Sequence, residues 1–283
     1  MNLLQYIGSS CFIIAVLAGC SKKTEAVFAT DGGVAFYNAS QVLRQQVQQT
    51  GKPARILVNT NDPAYSNDPA KGDDGIHMPD FRAPGAELDP QQFFPRPNVT
   101  GTPPVWLSYM RILPGNQQIA FLQTDSSLAI QTIVETKARE NTCLFLTDSL
   151  GYYQTHTVTD NSDPSQNQVQ LQMVHLGPDA GELVYKVNDE LINSGRATRY
   201  RQQTGFVNFT TGNNTTGFPL RLQVFNPADL NNPIARTTIN AAPGHSYSVI
   251  INGYYNAASY LDPATGNRRN ISPDFRLSVM RNQ

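Results

Sequence analysis

Side chains suited to acid–base chemistry are few in this sequence, and one pair has a spacing that catalysis can use. His175 precedes Asp179 by four residues, so the imidazole could act as a general base that the carboxylate orients. The other histidines are His77, His156 and His245, and the four share no spacing typical of metal ligands. The sequence also lacks a nucleophile elbow, a metalloprotease helix motif, paired CxxC motifs and a glycine-rich phosphate loop. We therefore predict no enzymatic activity, no cofactor and no metal site.

An acidic stretch and one cysteine are the remaining chemical candidates. The stretch NDPAYSNDPAKGDDGIHMPD, residues 61–80, offers carboxylate oxygens that calcium could use. Its spacing matches no EF-hand, and aspartate before proline or glycine is common in turns, so turn chemistry is the favoured interpretation. Cys143 lies in a predicted strand, where a small half-buried side chain is favoured over a reactive thiol.

The elements that must position these residues are predicted to be β-strands. Short runs rich in β-branched and aromatic residues recur between Gly, Pro, Asn or Asp, as in VAFYNAS, RILVNT, VWLSYMRI, QIAFLQT, IQTIVET and TCLFLTD. One exception is SQVLRQQVQQTG, where Ser40 could cap a short helix and Gly51 could end it. A net charge of -1 provides no basic face for phosphates, which excludes nucleic acid as a partner. The predicted fold class is all-β.

An internal repeat divides the chain into two modules. Residues 129–147 align without a gap on residues 234–252. The first module is predicted over residues 32–160 and the second over 165–283, with a linker of turn-forming residues at 148–168. Each module is large enough for its own core, so the second is expected to fold cooperatively when expressed alone.

The repeat also changes the interpretation of the chemical candidates. Asn38 takes the place of His175 in the first module, so the shared requirement is a side chain that hydrogen-bonds the turn backbone. Cys143 aligns with Ser248, which favours a packing role for the thiol. Val249 and Ile251 are two residues apart in a predicted strand, so both should point into the core.

The N-terminal residues predict a location. Residues 1–19 carry no charged side chain and hold an apolar stretch too short to span a bilayer, which is typical of a signal peptide. Leu17-Ala18-Gly19-Cys20 resembles the lipobox of bacterial lipoproteins, so Cys20 is the predicted lipidation site and residues 20–31 form a polar tether. An ordinary secretory signal with a chance cysteine is the alternative. Ser21 is not the aspartate that retains enteric lipoproteins at the inner membrane, and this implies the outer membrane with the leaflet left open.

The second module resembles a repeated domain of unknown function found in Bacteroidota lipoproteins. The run VQLQMVHLGPDAGELVYKVNDELI, residues 169–192, has a strand ending in His and then Pro-Asp-Ala, and INAAPGHSYSVIINGYY ends in an aromatic strand and a glycine. The first module fits less well, because QVLRQQVQQTGK follows Asn38-Ala39-Ser40. The resemblance implies two tandem antiparallel immunoglobulin-like or transthyretin-like β-sandwich modules after a lipoprotein signal peptide.

A proline-rich insertion, residues 61–104, separates the second and third strands of the first module. It holds nine of the nineteen prolines, which predicts an excursion and not extra strands. Phe81, Phe93 and Phe94 are the predicted partner contacts, with a structural cover for a sheet edge as the alternative. Further along, Asp148-Ser149-Leu150 resembles the O-glycosylation acceptor of Bacteroidota, so Ser149 is a possible modification site.

These observations favour a non-enzymatic, lipid-anchored cell-envelope protein with a binding or structural role. The alternative is a carbohydrate-binding accessory lipoprotein of a glycan-uptake system, which would need exposed, coplanar aromatic rings. The candidates for that platform are Trp106, Phe93, Phe94 and the pairs Tyr152–Tyr153 and Tyr254–Tyr255. An envelope protein or a glycan is therefore the expected partner besides the membrane.

Overall fold

The regular structure in the described part of the chain is almost all β-strand, with α-helix at one place. The computed structural model describes residues 31–59, 93–94, 105–107, 109–212, 217–262 and 265–282. The predicted signal peptide, Cys20 and Phe81 lie outside these residues. Within the part that the structure describes, no helix has the length and apolar character needed to cross a membrane. The all-β prediction is confirmed.

Among its described residues, the first half contains nine strands and one helix. They are β1 (Gly32–Asn38), α1 (Gln41–Thr50), β2 (Arg55–Val58), β3 (Phe93–Phe94), β4 (Val105–Trp106), β5 (Met110–Ile112), β6 (Gly115–Leu122), β7 (Leu128–Thr136), β8 (Asn141–Ser149) and β9 (Tyr152–Asp160). Sheet 1 has the order β3-β1-β8-β9, with β5 also paired to β1, and sheet 2 has the order β2-β6-β7. Strands β1 and β8 are parallel, and the other pairs in these two sheets are antiparallel.

Among its described residues, the second half contains eleven strands. They are β10 (Gln168–Leu176), β11 (Val184–Val187), β12 (Glu190–Leu191), β13 (Gln202–Gln203), β14 (Val207–Thr210), β15 (Phe218–Phe225), β16 (Ala235–Ala241), β17 (His245–Asn252), β18 (Ala258–Leu261), β19 (Arg268–Ile271) and β20 (Arg276–Arg281). Sheet 3 has the order β13-β10-β17-β20-β4, with β14 also paired to β10, and sheet 4 has the order β12-β11-β15-β16. Strands β18 and β19 form a separate hairpin.

The predicted helix α1 is confirmed together with both of its caps. The Ser40 hydroxyl accepts a hydrogen bond from the Leu43 amide at 3.1 Å, which satisfies one of the free donors at the helix start. Gly51 ends the helix in the left-handed conformation, with φ of 64°, and its amide bonds to the Val47 carbonyl. Short-range chemistry is enough to set these limits, which explains why the sequence revealed them.

Each half has one hydrophobic core, which lies between its two sheets. The first cluster joins sheet 1 and sheet 2 through residues such as Phe36, Leu144 and Phe121. The second joins sheet 3 and sheet 4 and includes Val249 and Ile251, so the prediction that these two side chains point inward together is confirmed.

A third cluster joins the two halves to each other. Its buried members come from the outer faces of sheets 1 and 3, and they are Ala35, Tyr37, Ala39, Cys143, Phe145, Val158, Val174, Leu176, Ile250 and Met280. Strand β1 is buried at every position, as are the seven residues that follow His245 in β17. A sheet covered on both faces is apolar along its whole length instead of alternating, which accounts for runs such as SVIIN. The halves therefore meet through a largely apolar interface.

The prediction of a linker at 148–168 is wrong. Most of this segment is strand, because β8 ends at Ser149 and β9 occupies Tyr152–Asp160. Leu150 and Gly151, with φ of 50° and 84°, form the tight turn between them. The linker along the chain, between the end of β9 and the start of β10, is therefore limited to residues 161–167. Polar side chains misled the prediction, since β9 carries Thr, Gln and His on a partly exposed sheet edge.

The insertion also contains a strand where none was predicted. The backbone of Phe93–Phe94 pairs with β1 as strand β3, so this segment extends an edge of sheet 1. The run VWLSYMRI was predicted as one strand and is divided in two. Strand β4 pairs in parallel with β20 of the second half, and β5 pairs with β1 of the first. The chain passes between two sheets here, and each sheet provides an edge that a short apolar segment can join.

Candidate functional site

His175 is the penultimate residue of strand β10 and is fully buried. Its Nε2 lies 2.9 Å from the Gly181 carbonyl, and the Gly177 amide donates to Nδ1 at 3.3 Å. The ring is therefore neutral, with its proton on Nε2, and both nitrogens bond to backbone. Asp179 accepts instead from the amides of Tyr255 and Asn256, at 2.7 Å each. The structure does not join His175 and Asp179 as a base and its orienting acid.

Asn38 confirms the interpretation that the repeat suggested. In sheet 1 it lies opposite Leu146, as His175 lies opposite Ile251 in sheet 3. The Asn38 Oδ1 accepts a hydrogen bond from the amide of Ser40, two residues further along the chain, at 3.0 Å. In the same way, the His175 Nδ1 accepts a hydrogen bond from the amide of Gly177. Both side chains hold the turn that follows the first strand of their half.

We expect His175 to make stability depend on pH. Burial lowers the pKa of His175 from 6.5 to about 4, and its hydrogen bond to Gly181 opposes the shift. Because the folded-state pKa is the lower one, the stability contributed by the neutral ring is complete above pH 6.5 and is lost as pH falls through 4. The loss should reach about 3 kcal/mol.

Denaturant unfolding at a series of pH values between 7 and 4 measures this effect. His175→Asn copies the side chain of the first half and should flatten the profile over that range. His156→Asn is the control, because that ring is only partly buried and should leave most of the slope in place. An unchanged slope in His175→Asn would show that other groups carry the pH dependence.

Asp148 is the centre of a buried polar cluster that sequence analysis did not identify. It lies near the end of β8 with only 1% of its surface exposed. Its Oδ1 accepts from the Ser40 hydroxyl at 2.6 Å and from the Val42 amide at 3.2 Å, and its Oδ2 accepts from the Tyr254 hydroxyl at 2.7 Å. The carboxylate thus sits at the N-terminus of α1, where the helix dipole favours negative charge.

Tyr254 belongs to the second half, so this cluster crosses between the halves. Its hydroxyl also accepts from the Leu150 amide at 2.5 Å, and burial followed by the nearby Asp148 charge raises the Tyr254 pKa. Gln41 adds two bonds, because its Nε2 donates to the Ser272 carbonyl at 2.5 Å and its Oε1 accepts from the Tyr254 amide at 2.8 Å. We call Asp148, Ser40, Gln41 and Tyr254 the polar junction.

The polar junction is reinforced by an ion pair and by close packing. Arg44 of α1 lies 3.0 Å from Asp274 of the second half, with Arg44 almost fully buried. The Tyr260 ring packs on Gly151, where a Cβ would lie 2.5 Å from a ring carbon. Glycine is therefore required at this turn both for its positive φ and for the close approach. The arrangement fixes the relative position of the two halves.

Ser149 follows Asp148 at the turn between β8 and β9. It is partly exposed, whereas Asp148 of the same predicted acceptor triplet is committed to the polar junction. Ser149 as a modification site stays a prediction.

Cys143 lies in the interface between the halves. Burial raises the pKa of its thiol, which makes the side chain unreactive. Beside it, the Gln172 amide donates to the Ser248 hydroxyl at 2.7 Å, and Ser248 donates to Asn282 at 3.0 Å. Burial also raises the pKa of Asp160, which lines the same narrow space. The Gln172, Ser248 and Asn282 side chains are thus bonded to one another along sheet 3, which satisfies these buried polar groups.

The aromatic candidates do not share one surface among the described side chains. Tyr152 is 75% exposed while Tyr153 is half-buried and donates to Gln123 at 3.3 Å. Tyr254 is buried in the polar junction while Tyr255 is exposed and packs edge-on against Phe275. Each pair divides between two directions, so neither forms a flat platform of two rings. Phe93 and Phe94 pair with β1 through their backbone, and their role in partner contact stays a prediction.

The described residues contain no group of three or more His, Cys, Asp or Glu side chains arranged to hold a metal ion. The acidic stretch at 61–80 lies outside these residues. No protein-family model matches the sequence, and no curated protein is similar to it at a significant level. The resemblance to Bacteroidota lipoproteins therefore stays a prediction from the residues quoted above.

Proposed function

We propose that this protein is a non-enzymatic, lipid-anchored cell-envelope protein whose body presents the insertion at 61–104 to a partner. Cys20 carries the acyl chains, and residues 20–31 connect the anchor to the folded body. The outer membrane is the proposed location. The partner is an envelope protein or a glycan, and the body has a structural role in fixing the insertion.

The observation that carries this proposal is the attachment of the insertion to both halves. Strand β2 leads into it from sheet 2, strand β3 within it pairs with β1, and strand β4 just after it pairs with β20 of the second half. The Leu107 amide extends that last pairing with a bond to the Arg281 carbonyl at 2.8 Å. Strand β3 and the two strands that flank the insertion are thus held at separate sheets, as the ends of recognition loops are on rigid scaffolds.

The polar junction and the third cluster support the same proposal. They join the two halves through hydrogen bonds, an ion pair and apolar packing. A rigid body of this kind suits presentation of a binding segment, because less conformational entropy is lost when the segment binds.

We further propose that the two halves are copies of one immunoglobulin-like β-sandwich module. In both halves the first strand pairs in parallel with a late strand, which then pairs antiparallel with the last. Each half also has a second sheet that contains three neighbouring strands in chain order. These are β2-β6-β7 in the first half and β11-β15-β16 in the second. The matching positions of Asn38 and His175 support the same alignment.

Replacement of residues 63–90 by a short Gly-Ser linker tests the presentation of the insertion. This change keeps the paired segments Phe93–Phe94 and Val105–Trp106, so the body should unfold at nearly the wild-type denaturant concentration. Chemical cross-linking on intact cells, followed by mass spectrometry of the linked products, should show a partner with wild type and none with the variant.

Two controls accompany that experiment. Cys20→Ser should leave the membrane fraction while keeping a folded body, and wild-type fractionation of this variant would contradict the lipid anchor. Unfolding after the 63–90 replacement would show that the insertion belongs to the core. Unchanged cross-links would place recognition elsewhere on the body.

A further inference from the structure

Strand β7 is a long sheet edge with exposed apolar side chains. It forms one edge of sheet 2 and pairs, among the described residues, with β6 alone. Its sequence, LAIQTIVET, is rich in β-branched residues and contains no proline. Ile133 is 69% exposed and Leu128 is 56% exposed. An edge of this length and composition is a template for pairing with another strand.

Other edges in the described part of the chain carry protection that β7 lacks. Strand β16 occupies the matching edge of sheet 4, but it is shorter, carries the exposed Arg236, and is flanked by Pro233 and Pro243. Strand β9 is as long as β7, but the Arg201 guanidinium donates to the Thr155 carbonyl on it at 2.8 Å. Among the described residues, β7 is thus a less protected edge than β16 or β9.

The turns at the two ends of β7 carry opposite charges. Asp125 lies exposed in the turn before β7, where hydrogen bonds from Ser127 lower its pKa and keep it ionised. Lys137 and Arg139 lie exposed in the turn after β7. An antiparallel partner with the same sequence would bring each acidic turn beside a basic one. A parallel partner would place Asp125 beside Asp125 and Lys137 beside Lys137.

We propose that β7 is a dimerisation strand, which pairs antiparallel with β7 of a second copy of this chain. The register that overlaps the whole strand places Thr132 opposite Thr132, Ile130 opposite Val134 and Ile133 opposite Gln131. The same orientation brings the turn that holds Asp125 beside the turn that holds Lys137 and Arg139 at both ends. The contact is two-fold symmetric, so it closes at a dimer and joins two copies of sheet 2 into one continuous sheet.

Sedimentation of the full chain in detergent tests this proposal. Wild type should be dimeric, and Ile133→Lys should be monomeric, because it places a charge beside the pairing edge. The matched control is Thr238→Lys, which occupies the equivalent exposed position on β16 and should stay dimeric. A wild-type monomer at all concentrations, or a dimer that survives Ile133→Lys, would overturn the proposal.

Charge reversal tests the antiparallel register even if Ile133→Lys reduces folding. Asp125→Arg and Arg139→Asp should each raise the dimer dissociation constant about tenfold, since two symmetric ion pairs become repulsive. The double reversal should restore the wild-type constant, and failure to restore it would refute the register. Under oxidation, Thr132→Cys should form a covalent dimer whereas Thr237→Cys, its counterpart on β16, should not. Equal cross-linking of the two variants would also count against the proposal.

Discussion

Asp148→Ala should lower the free energy of unfolding by about 3–5 kcal/mol. The substitution removes the acceptor for the Ser40 hydroxyl, the Val42 amide and the Tyr254 hydroxyl, and all three donors stay buried. A buried donor without a partner loses the hydrogen bond that water would otherwise supply. The loss also weakens the N-terminus of α1 and the contact between the halves. Chemical denaturation monitored by circular dichroism measures the change.

Two variants show whether burial causes the effect of Asp148→Ala. Tyr254→Phe removes one of the three donors and should cost about 1–2 kcal/mol. Asp189→Ala removes an exposed carboxylate that pairs with Arg221 and should change stability by less than about 0.5 kcal/mol. A cost for Asp148→Ala as small as that for Asp189→Ala would show that the polar junction does not stabilise the fold.

The second half expressed alone, residues 165–283, should keep its own core and yet aggregate. Removal of the first half exposes Val174, Leu176, Ile250 and Met280, each fully buried in the third cluster of the intact chain. Each such side chain contributes about 1.5–3 kcal/mol when buried, and together they form an apolar sheet face. The fragment also loses β4, so β20 becomes an open edge. Light scattering and size-exclusion chromatography measure the aggregation.

Polar substitution on the exposed face should rescue that fragment. Val174→Thr with Ile250→Thr keeps β-branched side chains at two paired positions and should yield a soluble, cooperatively unfolding monomer. Met173→Thr with Val249→Thr is the matched control, because these neighbours point into the second cluster, and that variant should unfold. A soluble unsubstituted fragment would show that the interface is not needed to shield this sheet.

Local chemistry accounts for what could be predicted from the sequence. The caps of α1 depend on Ser40 and Gly51 alone, and the inward direction of Val249 and Ile251 follows from the two-residue period of a strand. The role of His175 could be predicted because the repeat supplied Asn38 as a comparison.

Long-range packing accounts for what could not be predicted. Asp148 was considered only as part of a modification triplet, because its partners Ser40 and Tyr254 are distant in the chain and nothing local links them. The third cluster was missed because a strand buried on both faces has the same composition as one in an ordinary core. Strand β9 was assigned to a linker because its polar side chains suit an exposed sheet edge as well as a loop.

The pairing of β4 with β20 has a consequence for how the chain is made. Val105 pairs with Met280, which is far along the chain, and β20 is synthesised after the other strands of sheets 1 and 3. Until β20 has emerged, β4 has no edge to join, and the third cluster, which draws on β10, β17 and β20, stays incomplete. The nascent chain therefore carries an incompletely covered apolar face on sheet 1 until that strand is available. Such late, distant contacts slow folding and make a nascent chain dependent on holding chaperones.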